Sequence, residues 1–201
     1  MASAPDGLTC DDEGDRMKKK PATTADLDAL PETQVGEIIN GELHVSPLLK
    51  PLDSFFASYF LVELIQFFDK RMRGAGGWLI VRKAEVGLGG DILVPDLLGW
   101  RRERAPRISE PDPIIPTPDW VGEVLTPETE LLDRELKLPL YERAGIPHVW
   151  FIERESRLLE LFLLKAGRYE RRAISLDAEP VRIEPFEALT LDCSYLWEQL
   201  D

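Results

Sequence analysis

Asp96, Glu123 and Lys137 are the residues whose types and spacing could do chemistry: two carboxylates able to share one ion, and an ammonium able to reach them. Each sits where its type calls for a reason. Asp96 follows the apolar run Ile92-Leu93-Val94 and Pro95. A proline has no amide N–H to continue a ladder, so Asp96 is expected at a strand end. Glu123 lies inside Trp120-Val121-Gly122-Glu123-Val124-Leu125, which reads as a second strand with Val121, Glu123 and Leu125 on one face. A carboxylate among apolar neighbours is costly unless it is paired, hydrogen-bonded or bound to a metal.

Beyond Leu125, Thr126-Pro127-Glu128 marks a turn and a helix start, and Leu131, Leu132, Leu136, Leu140 and Ala144 recur at helical spacing. Asp133, Lys137 and Tyr141 fall at i, i+4 and i+8, a stripe from which Lys137 can point back toward Asp96 and Glu123. The same spacing equally describes an exposed Asp133–Lys137 pair on a solvated face. If Lys137 serves the site, its loss should lower rate and leave folding nearly unchanged. Pro139 removes one helical hydrogen bond and predicts a bend or break between Lys137 and Tyr141. Tyr141 reads as core rather than site, and His44 and His148 as plain strand residues.

The elements that must position these groups follow in chain order. Residues 1 to about 25 carry no periodicity and predict a mobile tail, leaving 26–201 as a single domain. Thr24 or Asp26 can cap a short helix, after which two strands flank the Asn40-Gly41 hairpin turn. From Leu52 to Arg73 the apolar positions give a long helix whose stripe is wider than one sheet face needs, so a homodimer through this helix is expected. Trp78–Val81 and Ala84–Leu88 look like paired strands leading to the one before Asp96. Residues 101–118 hold five prolines and predict an extended loop beside the site. His148–Ile152 reads as a further strand, and Leu158–Lys165 with Tyr169–Ile174 as a hairpin about Ala166-Gly167. The order helix, three strands, helix, strand is an α/β or α+β core.

Charge cuts against a nucleic-acid partner: the chain carries a net −13, whereas such domains usually present a basic face. Local basic clusters occur at Lys70-Arg71-Met72-Arg73, at Arg101 to Arg104 with Arg107, and at Arg171-Arg172. Two cysteines without metal-ligand spacing suggest neither a disulfide framework nor zinc, which fits a reducing cytoplasm. No segment is apolar over a membrane-spanning length, so no membrane partner is expected.

A strand-end Pro-Asp followed by a Glu on the next strand resembles the PD-(D/E)XK motif of restriction-endonuclease-like nucleases. More closely, GEIINGEL, LVPDLLGWRRER and DWVGEVLTPETELLDRELKLPLYERAGIPHVWFIE resemble the Uma-two family of restriction-endonuclease-like proteins, from about Val35 to Trp197. That resemblance implies an αβββαβ core with a mixed central sheet flanked by helices, here followed by a C-terminal β-hairpin. It also implies a divalent cation, magnesium or else manganese, and hydrolysis of DNA phosphodiesters. Carried onto this chain, Asp96 and Glu123 would be the metal-binding acids, with the Val124 backbone carbonyl as a further ligand. Lys137 would replace the superfamily's strand lysine, whose slot is Leu125 here. Glu37 would be an outer metal or water ligand, and Asp133 an accessory acid. The histidine that the family often carries near the start of the long helix has no counterpart in Lys50-Pro51-Leu52-Asp53-Ser54. Two other functions fit the same residues: a binding module on a lapsed nuclease fold, and a metal-dependent hydrolase of a non-nucleic-acid phosphoester.

Overall fold

The central strands are apolar on both faces, which forces a layer of structure onto each side of their sheet. A computed structural model of the protein describes residues 20–68, 77–105, 116–177 and 179–199. Among the described residues ten strands form two sheets. The larger has six strands in the order β10-β9-β8-β7-β6-β3 and the smaller four in the order β2-β1-β5-β4. The large sheet comprises β3 (Trp78–Arg82), β6 (Leu97–Arg101), β7 (Trp120–Leu125), β8 (His148–Glu153), β9 (Leu158–Lys165) and β10 (Arg168–Ser175). The small sheet comprises β1 (Gln34–Ile39), β2 (Glu42–Pro47), β4 (Val86–Leu88) and β5 (Asp91–Leu93). β7 and β8 pair in parallel and the other strand pairs are antiparallel, so the large sheet is mixed.

On one side of the large sheet, Trp120, Val124, Trp150 and Ile152 pack against helix α2 (Pro51–Phe68) and the segment from Ile183 to Trp197. On the other, Val121, Leu125, Val149 and Phe151 meet helix α4 (Leu138–Ala144) and residues Ile39, Val86, Leu88 and Leu93 of the small sheet. Alternation along β7 therefore sends successive residues into two different cores, and all six are buried. The Trp120 ring lies over Gly122, where a Cβ would come 2.9 Å from the ring, so only glycine fits.

Helix α1 (Thr24–Asp28) opens the described chain, with both Thr23 N–H and Thr23 Oγ1 hydrogen-bonded to Asp26 Oδ2 at 2.7 Å. Of the expected tail, residues 1–19 lie outside the described residues. Residues 20–25 are held, because Ala22 N–H donates to the Gly41 carbonyl at 2.8 Å and α1 begins at Thr24. The hairpin turn has Asn40 and Gly41 at φ 53° and 79°, the twist that antiparallel neighbours need.

Three expectations are corrected. β3 does not pair with β4: it joins β6 in the large sheet, while β4 joins β5 in the small one. Lys83, at φ 50°, turns the chain from one sheet into the other. The loop expected over residues 101–118 beside the site is displaced: Arg101 ends strand β6, whose register places Leu97 opposite Gly122 and Gly99 opposite Trp120. Arg101 and Asp119, the described anchors of the proline-rich segment, therefore lie at the ends of β6 and β7 away from Asp96. Residues 106–115 of that segment, like Lys70 to Arg73, lie outside the described residues.

The third correction concerns Pro139. The helix does not break after Lys137; the irregular turn precedes the proline. Helix α3 (Glu130–Leu132) runs into a π turn (Asp133–Lys137) and on into α4. Leu138 N–H donates to the Asp133 carbonyl, one residue further back than in an α-helix. Pro139 thus stands at the start of a fresh α-helical segment, where its missing N–H is tolerated. Among the described residues no helix is long and apolar enough to cross a membrane.

Candidate functional site

Asp96 sits at the seam of the two sheets, three residues after β5 ends and one before β6 begins. Glu123 projects from β7 into the core shared with α4. Their carboxylates are tied through the main chain: Glu123 Oε2 accepts the Asp96 N–H at 3.0 Å, and Asp96 Oδ2 accepts the Val124 N–H at 2.8 Å. Each acid thus commits one oxygen to the backbone and presents the other to a narrow cleft with free volume of about 20 Å³, the scale of a single water or bare cation.

Lys137 does reach this cleft. Its Nζ lies 2.7 Å from Glu123 Oε1, 3.1 Å from Asp133 Oδ1 and 3.2 Å from Glu37 Oε1. The exposed Asp133–Lys137 pair is excluded, since each is only 3% exposed. The π turn matters here, because it carries both residues inward while preserving the helix beyond. Glu37, on β1, is fixed by the Val94 N–H at 2.8 Å. The structure brings Asp96, Glu123, Lys137, Glu37 and Asp133 together around one cleft. Leu125, at the superfamily's lysine slot, is buried in the core and offers the cleft no polar group.

Two residues were missed. Tyr141, read as core, is fully buried but donates its hydroxyl to Glu123 Oε1 at 2.5 Å. Its place at the end of the Asp133–Lys137 stripe was the available signal. Lys83 stands 2.6 Å from Asp96 Oδ1. Its only signal was a cation between two apolar strand segments, which a turn explains as well. Where the family histidine would fall, Asp53 is instead buried and bonded by Arg154 Nε at 3.0 Å.

Burial dominates the site's protonation. It pushes the Glu123 carboxyl up to about 8 against the pull of Lys137, with the charges of Asp133, Asp96 and Glu37 adding to the rise. Asp133 is raised by burial too, again opposed by Lys137. For Lys137 burial favours the neutral amine, but Asp133, Glu123 and Glu37 outweigh it and hold the ammonium well above the usual lysine range. Tyr141 is raised by burial and by Glu123, so it stays a hydroxyl donor.

Among the described residues, no three carboxylate, imidazole or thiol groups already converge as a cation cage; the Lys137 ammonium fills the centre of the acids. The donor set nevertheless suits a hard divalent ion, being all oxygen. One atom stands out. Asp96 Oδ1 is buried, and its partner is the Lys83 ammonium 2.6 Å away rather than a fixed backbone donor. In a strand, a residue's N–H and C=O face the same edge, so the Val124 carbonyl lies on the edge where its N–H meets Asp96.

The model of the Uma2 family, described as "Putative restriction endonuclease", matches residues 24–194. No curated protein matches the chain. Among solved structures, the chain resembles the crystal structure of a "putative nuclease belonging to DUF820" from Anabaena variabilis, with TM-score 0.70 and 21% identity, covering 90% of this chain and 100% of that one. At that identity the likeness speaks to the fold, and the fold is restriction-endonuclease-like.

Proposed function

The chain belongs to the Uma2 family of restriction-endonuclease-like proteins, and on that premise we propose that it is a metal-dependent endonuclease hydrolysing DNA phosphodiester bonds. The observation that carries this reading is the buried Asp96 Oδ1, a carboxylate oxygen at the cleft met by the partly exposed Lys83 ammonium rather than by a fixed backbone donor. Asp96, Glu123 and the Val124 carbonyl would hold magnesium, or manganese in its place. Such an ion, when bound, polarises the phosphate and lowers the pKa of its water. Lys137 supplies a fixed positive charge against the anion that builds up at phosphorus. Glu37 and Asp133 hold that ammonium in place, and Glu37 can also order a water. Tyr141 orients Glu123.

The test is incubation with supercoiled plasmid, single-stranded DNA and RNA in magnesium, manganese or chelator. Cleavage of DNA that needs the cation and is lost in Asp96→Asn is expected. A protein that cleaves none of the three in either metal overturns the reading.

One observation favours a second reading, a hydrolase of a non-nucleic-acid phosphoester. The chain carries a net −13, and the cleft's only described cations are Lys83 and Lys137. Turnover of bis(p-nitrophenyl) phosphate without turnover of DNA would select it.

We also propose a homodimer through α2. The chain itself covers much of the wide stripe: Phe56 packs on Trp197 and Phe68 on Phe186, with ring centroids 5.3 Å and 5.1 Å apart. Leu52, Phe55 and Val62 still face outward and would form the contact.

A further inference from the structure

The register of β3 against β6 brings Lys83 to Asp96. Arg82 stands opposite Leu97 at the last rung, and one step further the Lys83 N–H donates to the Asp96 carbonyl at 3.2 Å. The side chain then folds along the same edge, leaving its ammonium against Asp96 Oδ1.

Two features mark this lysine off from Lys137. First, its backbone is left-handed, at φ 50°, a conformation that glycine adopts freely and a residue with a Cβ adopts at a cost. A turn alone is better served by glycine, so the side chain supplies something the turn does not require. Second, Lys137 is locked among three carboxylates, whereas Lys83, among the described residues, has Asp96 as its one ion-pair partner and is 29% exposed. Lys83 also lines an adjoining groove of about 310 Å³, bounded by Leu30, Glu32, Val35 and Glu85, so its ammonium has room to leave.

We propose that Lys83 is the resident counter-ion of Asp96: its ammonium occupies the open carboxylate oxygen until a divalent cation displaces it, and it then turns to a phosphate oxygen of the substrate. Both cations need the same Oδ1 lone pairs, and a monovalent ammonium is the weaker competitor for them against a divalent ion. The displaced charge stays within a side chain's length of the cleft, where a phosphate needs it. This second half rests on the endonuclease reading; the first rests only on cation binding at Asp96.

The test is a manganese titration, by calorimetry, of wild type, Lys83→Met, Lys83→Arg and Lys83→Gly, followed by cleavage at saturating manganese. Removing the competing charge in Lys83→Met and Lys83→Gly should tighten manganese binding about tenfold, the scale of one partly screened charge at contact distance. Lys83→Arg, which keeps the charge, should bind as wild type does. Lys83→Gly relaxes the left-handed turn while Lys83→Met does not, so equal tightening in both reports the lost charge rather than a change in folding. Cleavage should fall by at least about tenfold in Lys83→Met. Equal manganese affinity in wild type and Lys83→Met overturns the proposal while leaving the metal reading intact. No manganese binding to either overturns both. Tighter binding with undiminished cleavage removes the phosphate role and keeps Lys83 as the counter-ion.

Discussion

Asp96 and Glu123 orient one another through the backbone: the Glu123 carboxylate receives the Asp96 N–H, and the Asp96 carboxylate receives the amide of the residue after Glu123. Neither acid can rotate without breaking a buried bond, so the oxygens left facing the cleft are preset for a shared ion. Asp96→Asn can still accept the Val124 N–H through its amide oxygen, but its remaining group is then a neutral NH₂. Calorimetry should show magnesium and manganese affinity lowered by at least about tenfold to a hundredfold, with the fold retained. Unchanged affinity would remove Asp96 from the metal site.

Lys137→Met tests the other half of the cleft. The expectation that its loss leaves folding nearly unchanged is corrected by its burial, because the substitution strands Glu37, Glu123 and Asp133 together away from water. Urea unfolding at pH 8 should show a loss of roughly 3–5 kcal/mol. The loss should shrink at pH 5.5, where the stranded acids take up protons, and in saturating magnesium. An unperturbed midpoint at pH 8 would mean that the three acids escape to solvent.

Glu123 sets a pH dependence whose sign can be worked out. Its carboxyl is raised to about 8 in the folded protein from an ordinary value of 4.5. Between those values the folded state binds the extra proton. The contribution is therefore fully present below about pH 4.5 and is lost as pH rises through about 8. Cation binding needs the ionised form, so affinity should climb across the same interval with release of a proton. Titrations in two buffers of different ionisation enthalpy measure that release directly. Glu123→Gln should abolish the slope; a slope that survives it belongs to another group.

Light scattering on a size-exclusion column tests the α2 contact. A particle of twice the 22.8 kDa chain mass is expected at micromolar concentration, and Phe55→Glu should return it to one chain. A monomer from the wild type discards the dimer and leaves Leu52, Phe55 and Val62 as scattered surface residues.

The site was legible where residue type clashed with its surroundings. An acid in an all-apolar strand and a lysine on the stripe of a following helix are conflicts that a sequence displays, and Glu123 and Lys137 are where those conflicts pointed. The strands from Trp78 to Arg101 were less legible, because short apolar runs do not say which neighbour they pair with, and two sheets competed for them. Lys83 was hidden for that reason: only the β3–β6 register brings it to Asp96. Tyr141 was hidden by its own amphipathic character, since a ring that belongs to the core can carry a hydroxyl that belongs to the site. At Pro139 the hydrogen-bond loss was legible, but not that a wider turn ahead of it would absorb the fault.

The site's parts come from β1, the β3 and β6 edges, β7 and the helix that follows, so they leave the ribosome one after another, from Glu37 to Tyr141. The acids Glu37, Glu123 and Asp133 are made before Lys137, the lysine that neutralises them. β7, moreover, has no parallel neighbour until β8 has followed. A growing chain therefore carries the acids as scattered, solvated charges and closes the cleft only once synthesis has passed β8. A chain that stops short of β8 therefore lacks the strand beside which β7 completes the cleft, and a truncation ending before that strand is expected to leave the centre unassembled.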